Sequence, residues 1–207
     1  MEHFGNFFGS YQAPVAHEAG IASDALNPIY AHQNKSQWCW SASISMVLRY
    51  YGFEVDQRFF ARSVCGIDVF GNTRNCSASP LEISDSLNIS GNDSWGNAYS
   101  VIAPLQSGIP DITELVNQLD AGKPVVIAYY NSDFRSSHAV VVTGCRYEIH
   151  EGTIYLTHLY IRDPWFDIYN VMNKGRRVIT DLSDFYFRIH SFWFIDLYEY
   201  PGYRFAV

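Results

Sequence analysis

Apolar residues at 40, 44, 47, 48 and 51 of the stretch Cys39-Trp40-Ser41-Ala42-Ser43-Ile44-Ser45-Met46-Val47-Leu48-Arg49-Tyr50-Tyr51 fall on one side of a 3.6-residue period, which predicts a buried helix face. Gly52 then ends the helix as the residue beyond its C-cap. A second helix is predicted over 56–64, with Asp56 as N-cap and Gly66 past its end. Ser79-Pro80-Leu81-Glu82 combines an N-cap serine, a proline at N1 and a glutamate at N3, so a third helix is expected over about 80–88. The first half of the chain therefore reads as largely helical.

The pattern changes between 90 and 110, where Gly91, Gly96, Pro104, Gly108 and Pro110 punctuate a short strand at Ala98 to Ile102. Apolar positions 112, 115, 116 and 119 then make an amphipathic helix that ends at Gly122. Strands dominate the remainder. Pro124 to Tyr130 reads as a buried strand, and Ala139 to Tyr147 with Thr153 to Arg162 as an antiparallel pair. Arg176 to Thr180 and Phe192 to Tyr198 add two more, around a helical turn near Asp181 to Phe185. Helices followed by an antiparallel sheet make an α+β arrangement, with a cleft between the halves as the natural site. Residues 1–32 show weak periodicity and read as an N-terminal arm laid over the domain, or as a removable pro-segment.

Composition narrows the function. At 207 residues and 48% hydrophobic content the chain can bury a core, and no internal repeat or low-complexity segment interrupts it. The aromatic share of 16% suits either β-structure and ordinary core filling or a ring-walled cleft. A net charge of -7 argues against nucleic acid as the main partner, and no run approaches a membrane span. The amino terminus lacks the charged and apolar regions of a cleavable signal peptide, so a cytoplasmic chain or one exported by a signal-independent route is expected.

Of the four cysteines, Cys39, Cys65, Cys76 and Cys145, no two form a C-x-x-C pair, so no metal site is expected. Cys65 and Cys76 flank a ten-residue loop and either close it as a disulfide or remain buried thiols. Cys39 stands apart because it opens a helix, where unpaired backbone N–H groups and the positive dipole end favour thiolate over thiol. A cysteine nucleophile needs a base, and among seven histidines His138 alone stands at the mouth of a long apolar strand, in Ser137-His138-Ala139-Val140-Val141-Val142. If the two paired strands turn at 148–152, Ala139 lies opposite Ile161 and Asp163 comes alongside His138 as the acceptor that orients the base. Trp165 would then cover the His138–Asp163 hydrogen bond.

In this setting the chain resembles the papain-like cysteine proteases. Gln33-x5-Cys39-Trp40-x-Ala42 is similar to that family's helix-start motif, His138-Ala139-Val140-Val141-Val142-Thr143-Gly144 to its His-Ala-Val strand, and Asp163-Pro164-Trp165 stands where the family has Asn-Ser-Trp. The resemblance implies a papain-like fold without cofactor, in which residues 33–207 form the catalytic domain, with a helical lobe over about 33–95 and a β lobe over about 96–207. It implies Cys39, His138 and Asp163 as catalytic residues and Gln33 as an oxyanion-hole donor beside the Cys39 backbone N–H. Trp38, Trp40 and Trp165 are expected along the substrate cleft. Asp in place of Asn, the short chain and the missing Cys-Gly-Ser-Cys signature make it look more like compact bacterial members, among them bacteriocin-leader peptidases and secreted effector proteases of plant-associated bacteria.

The expected activity is peptide-bond hydrolysis through an acyl-enzyme, with a protein or peptide as substrate. The same residues would serve a papain-fold acyltransferase, a transglutaminase-like or a deamidating enzyme, since any amide can be attacked in this way. A peptide-binding module without catalysis is the remaining alternative.

Overall fold

A computed structural model of the chain describes residues 15–92 and 95–200. In order, its elements are β1 (Ala16–Gly20), α1 (Ser23–Leu26), α2 (Cys39–Tyr50), α3 (Gln57–Cys65), α4 (Pro80–Leu87), β2 (Ser90–Asn92), β3 (Ala98–Ile102), β4 (Gln106–Ser107), α5 (Ile112–Asp120), β5 (Val125–Tyr130), β6 (Ser137–His150), β7 (Thr153–Arg162), α6 (Ile168–Met172), β8 (Arg176–Ile179), α7 (Leu182–Arg188), β9 (Ile189–Phe194) and β10 (Asp196–Tyr200).

Local chemistry accounts for the helix ends. Asp56 accepts the Arg58 backbone N–H at the start of α3, and Ser79 and Glu82 form a reciprocal capping box on α4. Asp111 and Asp181 cap α5 and α7 in the same way. α2, like the four-residue α1, differs, since its N-cap residue Trp38 gives no side-chain hydrogen bond. Its first-turn N–H groups are left without a capping side chain next to Cys39.

A seven-stranded sheet runs β4-β9-β5-β6-β7-β8 with β1 added to β6, and β10-β3-β2 form a separate three-stranded sheet. The stretch expected as one strand over 192–198 is therefore two, and Ile195 lies where the chain passes from the large sheet to the small one. The small sheet joins β2 and β3 of the first half to β10 near the carboxyl end. The segment expected as a surface arm contains β1, which pairs with β6 over Glu148 to Gly144. Gly20 approaches Gly144 so closely there, at φ +144°, that a β-carbon would meet backbone atoms at 2.4 Å. None of the described helices is long and apolar enough to cross a membrane.

Alternation along β5 and β6 feeds two cores on opposite faces of the large sheet. Val126, Ala128, Ala139 and Val141 face α2, where Ile44, Met46, Val47 and Leu48 bury their side chains. Val125, Ile127, Val140 and Val142 face α5 and α7 through Leu115, Leu119 and Phe185. Ser41, Ser43 and Ser45 are fully buried in α2. Their small side chains let the helix lie close to the sheet, and Ser43 Oγ donates to Ala139 O at 3.2 Å, one residue from His138.

Candidate active site

The nucleophile candidate is placed by α2. Cys39 is its first residue and half-buried, one turn before the Ser43 contact that ties the helix to the start of β6. His138 is the second residue of β6, locked between β5 and the β7 corner, with its side chain 12% exposed. Its ring stands edge-on to Tyr129 at 5.9 Å and to Trp165 at 6.3 Å.

The register differs from the expected one. Ile161 pairs with Val142 and Arg162 with Val141, while Ala139 lies opposite Ala128 of β5. The chain reverses at Glu151-Gly152, later than the centre of the expected turn, which sets the pairing three residues from the symmetrical hairpin; the bulges at Val142/Gly144 and Arg146/Tyr147 offset each other. Asp163 still reaches His138, because the chain leaves β7 directly after Arg162 and turns across the start of β6.

The result is a continuous polar chain. His138 Nε2 donates to Asp163 Oδ1 at 2.7 Å, and Cys39 lies close enough to His138 to act on its basicity. With Nε2 committed, Nδ1 is the nitrogen left for sulfur. Asp163 is only 2% exposed, and its Oδ1 also accepts the Trp165 N–H at 2.9 Å. Its other oxygen, Oδ2, accepts from Arg177 Nη1. Burial pushes the Asp163 carboxyl up, but the His138 and Trp165 hydrogen bonds and the Arg177 guanidinium overcome it and hold the value at about 2. Burial likewise pushes His138 down, and the hydrogen bond to ionised Asp163 together with the nearness of Cys39 raises it to about 10. The imidazole is thus held toward its charged form against an ionised carboxylate.

The Asp163 corner is built by residues with no sequence motif. Asn170 Nδ2 donates to Asp163 O at 2.8 Å and to Trp165 O, and Asp163 N donates to Gly175 O at 2.8 Å. Gly175 has φ +69° and lies against Tyr30 and Asp163 O, where a β-carbon has no room. Arg177 arrives because β8 pairs with β7, setting it opposite Ile161. The predicted strand over 176–180 contained this signal, since pairing it next to β7 brings basic residues toward Asp163. Asn170 had none.

Gln33 lies beside the same corner. Its backbone N–H donates to Pro164 O at 2.8 Å and its side-chain amide to Lys35 O at 2.9 Å, in a pocket that leaves it 1% exposed. Trp165 is 42% exposed and borders the site. Trp38 and Trp40, expected along the cleft, are core residues at 1% and 2% exposure. Their indole N–H groups donate to Arg74 O and Cys76 O, and their rings fill the space between α2 and the loop that follows α3. The tryptophans flanking Cys39 thus anchor the site from behind and present no ring to a substrate.

Cys65 and Cys76 are disulfide-bonded, leaving Cys39 and buried Cys145 as the two free thiols. Among the described depressions, one of about 660 Å³ borders His138, Asp163, Trp165 and Arg177. A larger one of about 980 Å³ runs along β1 and β7 and touches neither Cys39 nor His138.

This fold agrees with the comparisons to known proteins. The model of the Peptidase_C39 like family matches residues 25–186. The chain belongs to that family. This C39-like protein is accordingly a cysteine peptidase of papain-like fold. Among solved structures it is similar to the peptidase domain of Streptococcus ComA, a bi-functional ABC transporter involved in quorum sensing, at 15% identity over 81% of this chain and 95% of that one, with a TM-score of 0.50. It is also similar to a double glycine motif protease from an AMS/PCAT transporter, solved with a leader peptide, at 21% identity over 79% and 89% of the two chains, with a TM-score of 0.41. No curated protein matches the chain.

Proposed function

We propose that this C39-like peptidase hydrolyses peptide bonds with Cys39 as nucleophile, His138 as acid and base, and Asp163 as the group that orients the histidine. The observation that supports the reading is the buried His138–Asp163 hydrogen bond at 2.7 Å, with the imidazole raised toward the charged form by Asp163 and by the nearby Cys39 at the start of α2. Attack of the Cys39 thiolate on the scissile carbonyl gives a tetrahedral oxyanion next to the uncapped start of α2. The Cys39 backbone N–H and the Gln33 amide are the donors this reading assigns to it.

Collapse of that intermediate releases the amine, which takes the proton from the imidazolium, and leaves a thioester on Cys39. Sulfur then carries no charge, so one support of the raised histidine value is gone. The neutral ring can now draw a proton from water, and the hydroxide attacks the thioester to free the acid and the thiolate. One histidine can serve both halves of the reaction because the charge beside it changes between them.

Incubation with a peptide library, followed by mass spectrometry, tests this. Wild type is expected to produce chain scission and, on rapid acid quench, a thioester adduct on Cys39. Cys39→Ala is expected to lose both and to keep its thermal midpoint within a few degrees. Ammonia release from glutamine without scission would replace hydrolysis with deamidation or acyl transfer.

A further inference from the structure

A papain-like site with asparagine as its third member carries two charges, the thiolate and the imidazolium. With Asp163 in that place there is a third, a buried carboxylate, and the set would be left with a net negative charge. Arg177 removes the imbalance. Its guanidinium binds Oδ2, the oxygen that neither His138 nor Trp165 uses, so each carboxylate oxygen has its own partners. Arg177 comes from β8, is half exposed at 51%, and makes no contact with Cys39 or His138 among the hydrogen bonds of the site. Nothing in the Cys, His and Asp motifs calls for it.

We propose that Arg177 is a positioning residue of this peptidase, which clamps Asp163 from behind and supplies the positive charge that fixes the pH range over which the Cys39–His138 ion pair exists. The inference rests on the triad reading above. The sign follows from the charges. Taking away a cation near the pair destabilises the thiolate, so it forms at higher pH. The same loss stabilises the imidazolium, so it persists to higher pH. Both limits of the ion pair therefore move upward together, whereas a loosened fold would lower the rate without moving them.

The other charged and titratable groups around this centre do not replace Arg177. Tyr129 from β5 and Tyr30 from the segment before α2 stay neutral, each pushed up to about 12 by burial and by the Asp163 charge. Asp167 at the start of α6 adds negative charge beside Arg177 and caps Asn170. Arg188 from α7 lies over the Tyr129 ring and is paired with Asp184, while Asp181 caps its own helix. Arg177 is the cation bound to the orienting carboxylate.

Cys39 reports the pair without any substrate. The bridge removes Cys65 and Cys76, and Cys145 is buried, so the rate of Cys39 carboxamidomethylation by iodoacetamide, read by mass spectrometry against pH, shows both inflections. In Arg177→Gln both are expected to rise by roughly 0.5–1 pH unit, and kcat on a library-selected peptide to fall about tenfold with KM little changed. Arg177→Lys, which keeps the charge but not the planar fork, should return the inflections to wild-type positions and recover only part of kcat. Equal thermal midpoints establish that the variants are folded. Inflections in Arg177→Gln that coincide with those of wild type overturn the proposal while leaving the triad intact. A wild-type profile with no inflection below the ordinary thiol range overturns the triad reading, and the Arg177 proposal with it.

Discussion

The two sides of the site are held by different physics. On the nucleophile side, the loop from Gln33 to Trp40 is fastened to the disulfide-closed loop by neutral or singly charged contacts: Lys35 Nζ to Thr73 O, Trp38 Nε1 to Arg74 O, Trp40 Nε1 to Cys76 O, Gln37 N to Asn75 Oδ1 and Ser77 N to Gln37 Oε1. On the base side, the geometry hangs on charge: imidazolium, carboxylate and guanidinium in line. The first arrangement is insensitive to pH and depends on the Cys65–Cys76 bridge. The second is insensitive to reductant and depends on protonation. With Cys39 as the proposed nucleophile, the reductant that keeps its thiol free also acts against the bridge that holds its loop.

The contrast can be pressed from either side. The largest effect is expected at Gln33, where Gln33→Ala removes a side-chain donor assigned to the oxyanion. The rate constant kcat should fall by ~10²- to 10³-fold with KM little changed, measured on a library-selected peptide. A loss confined to KM would show that the amide only binds substrate.

The double variant Cys65→Ser/Cys76→Ser tests the anchoring loop. Opening a loop of separation 11 is expected to cost about 3 kcal/mol, seen as a lower midpoint in urea. Below that midpoint the Cys39 alkylation rate should fall while the pH of its inflections stays put, since no charge has changed. A shift of the inflections would mean that the two sides are not independent.

The smallest effect is on stability against pH. Asp163 lies at about 2 when folded against an ordinary 3.8, so its ionised form contributes stability that is full above about pH 4 and lost as pH falls through about 2. The contribution is about 2 kcal/mol. His138 lies at about 10 against 6.5, so its contribution is full below pH 6.5 and lost as pH rises through about 10. Thermal midpoints followed from pH 2 to 10 should show both limbs in wild type. In Asp163→Asn the acid limb should flatten and the alkaline limb shrink, because the charge that raises the histidine is gone. An unchanged acid limb would remove Asp163 from the charge network.

Much of this was legible in the sequence where the signal is local. The apolar period of α2, the Asp56 and Ser79 caps and the valine run of β6 each state their own conformation, because helix and strand answer to spacing along one stretch of chain. Cys39 at a helix start and His138 at a strand mouth could be named for the same reason. The register of β6 on β7 could not, since it is set by the chain reversing at Glu151-Gly152, and the spacing within 148–152 does not say at which pair the turn falls. The strand β1 within the arm before Gln33 was not legible, because it has five residues, four of them exposed, and gains strand form from β6 and not from its own pattern.

By itself the sequence singled out the residues proposed to carry chemistry: a thiol at a helix N-terminus, an imidazole at a strand end and a carboxylate at the next corner. Tertiary structure alone decided what surrounds them. It turned Trp38 and Trp40 inward, because α2 lies flat on the sheet and the disulfide-closed loop covers its start. It also brought Arg177 to Asp163 from 14 residues away, because strand pairing sets neighbours by register and not by distance along the chain. Reactive groups can be recognised singly from their local setting. The charges and contacts that tune them come from whichever strand the sheet places alongside.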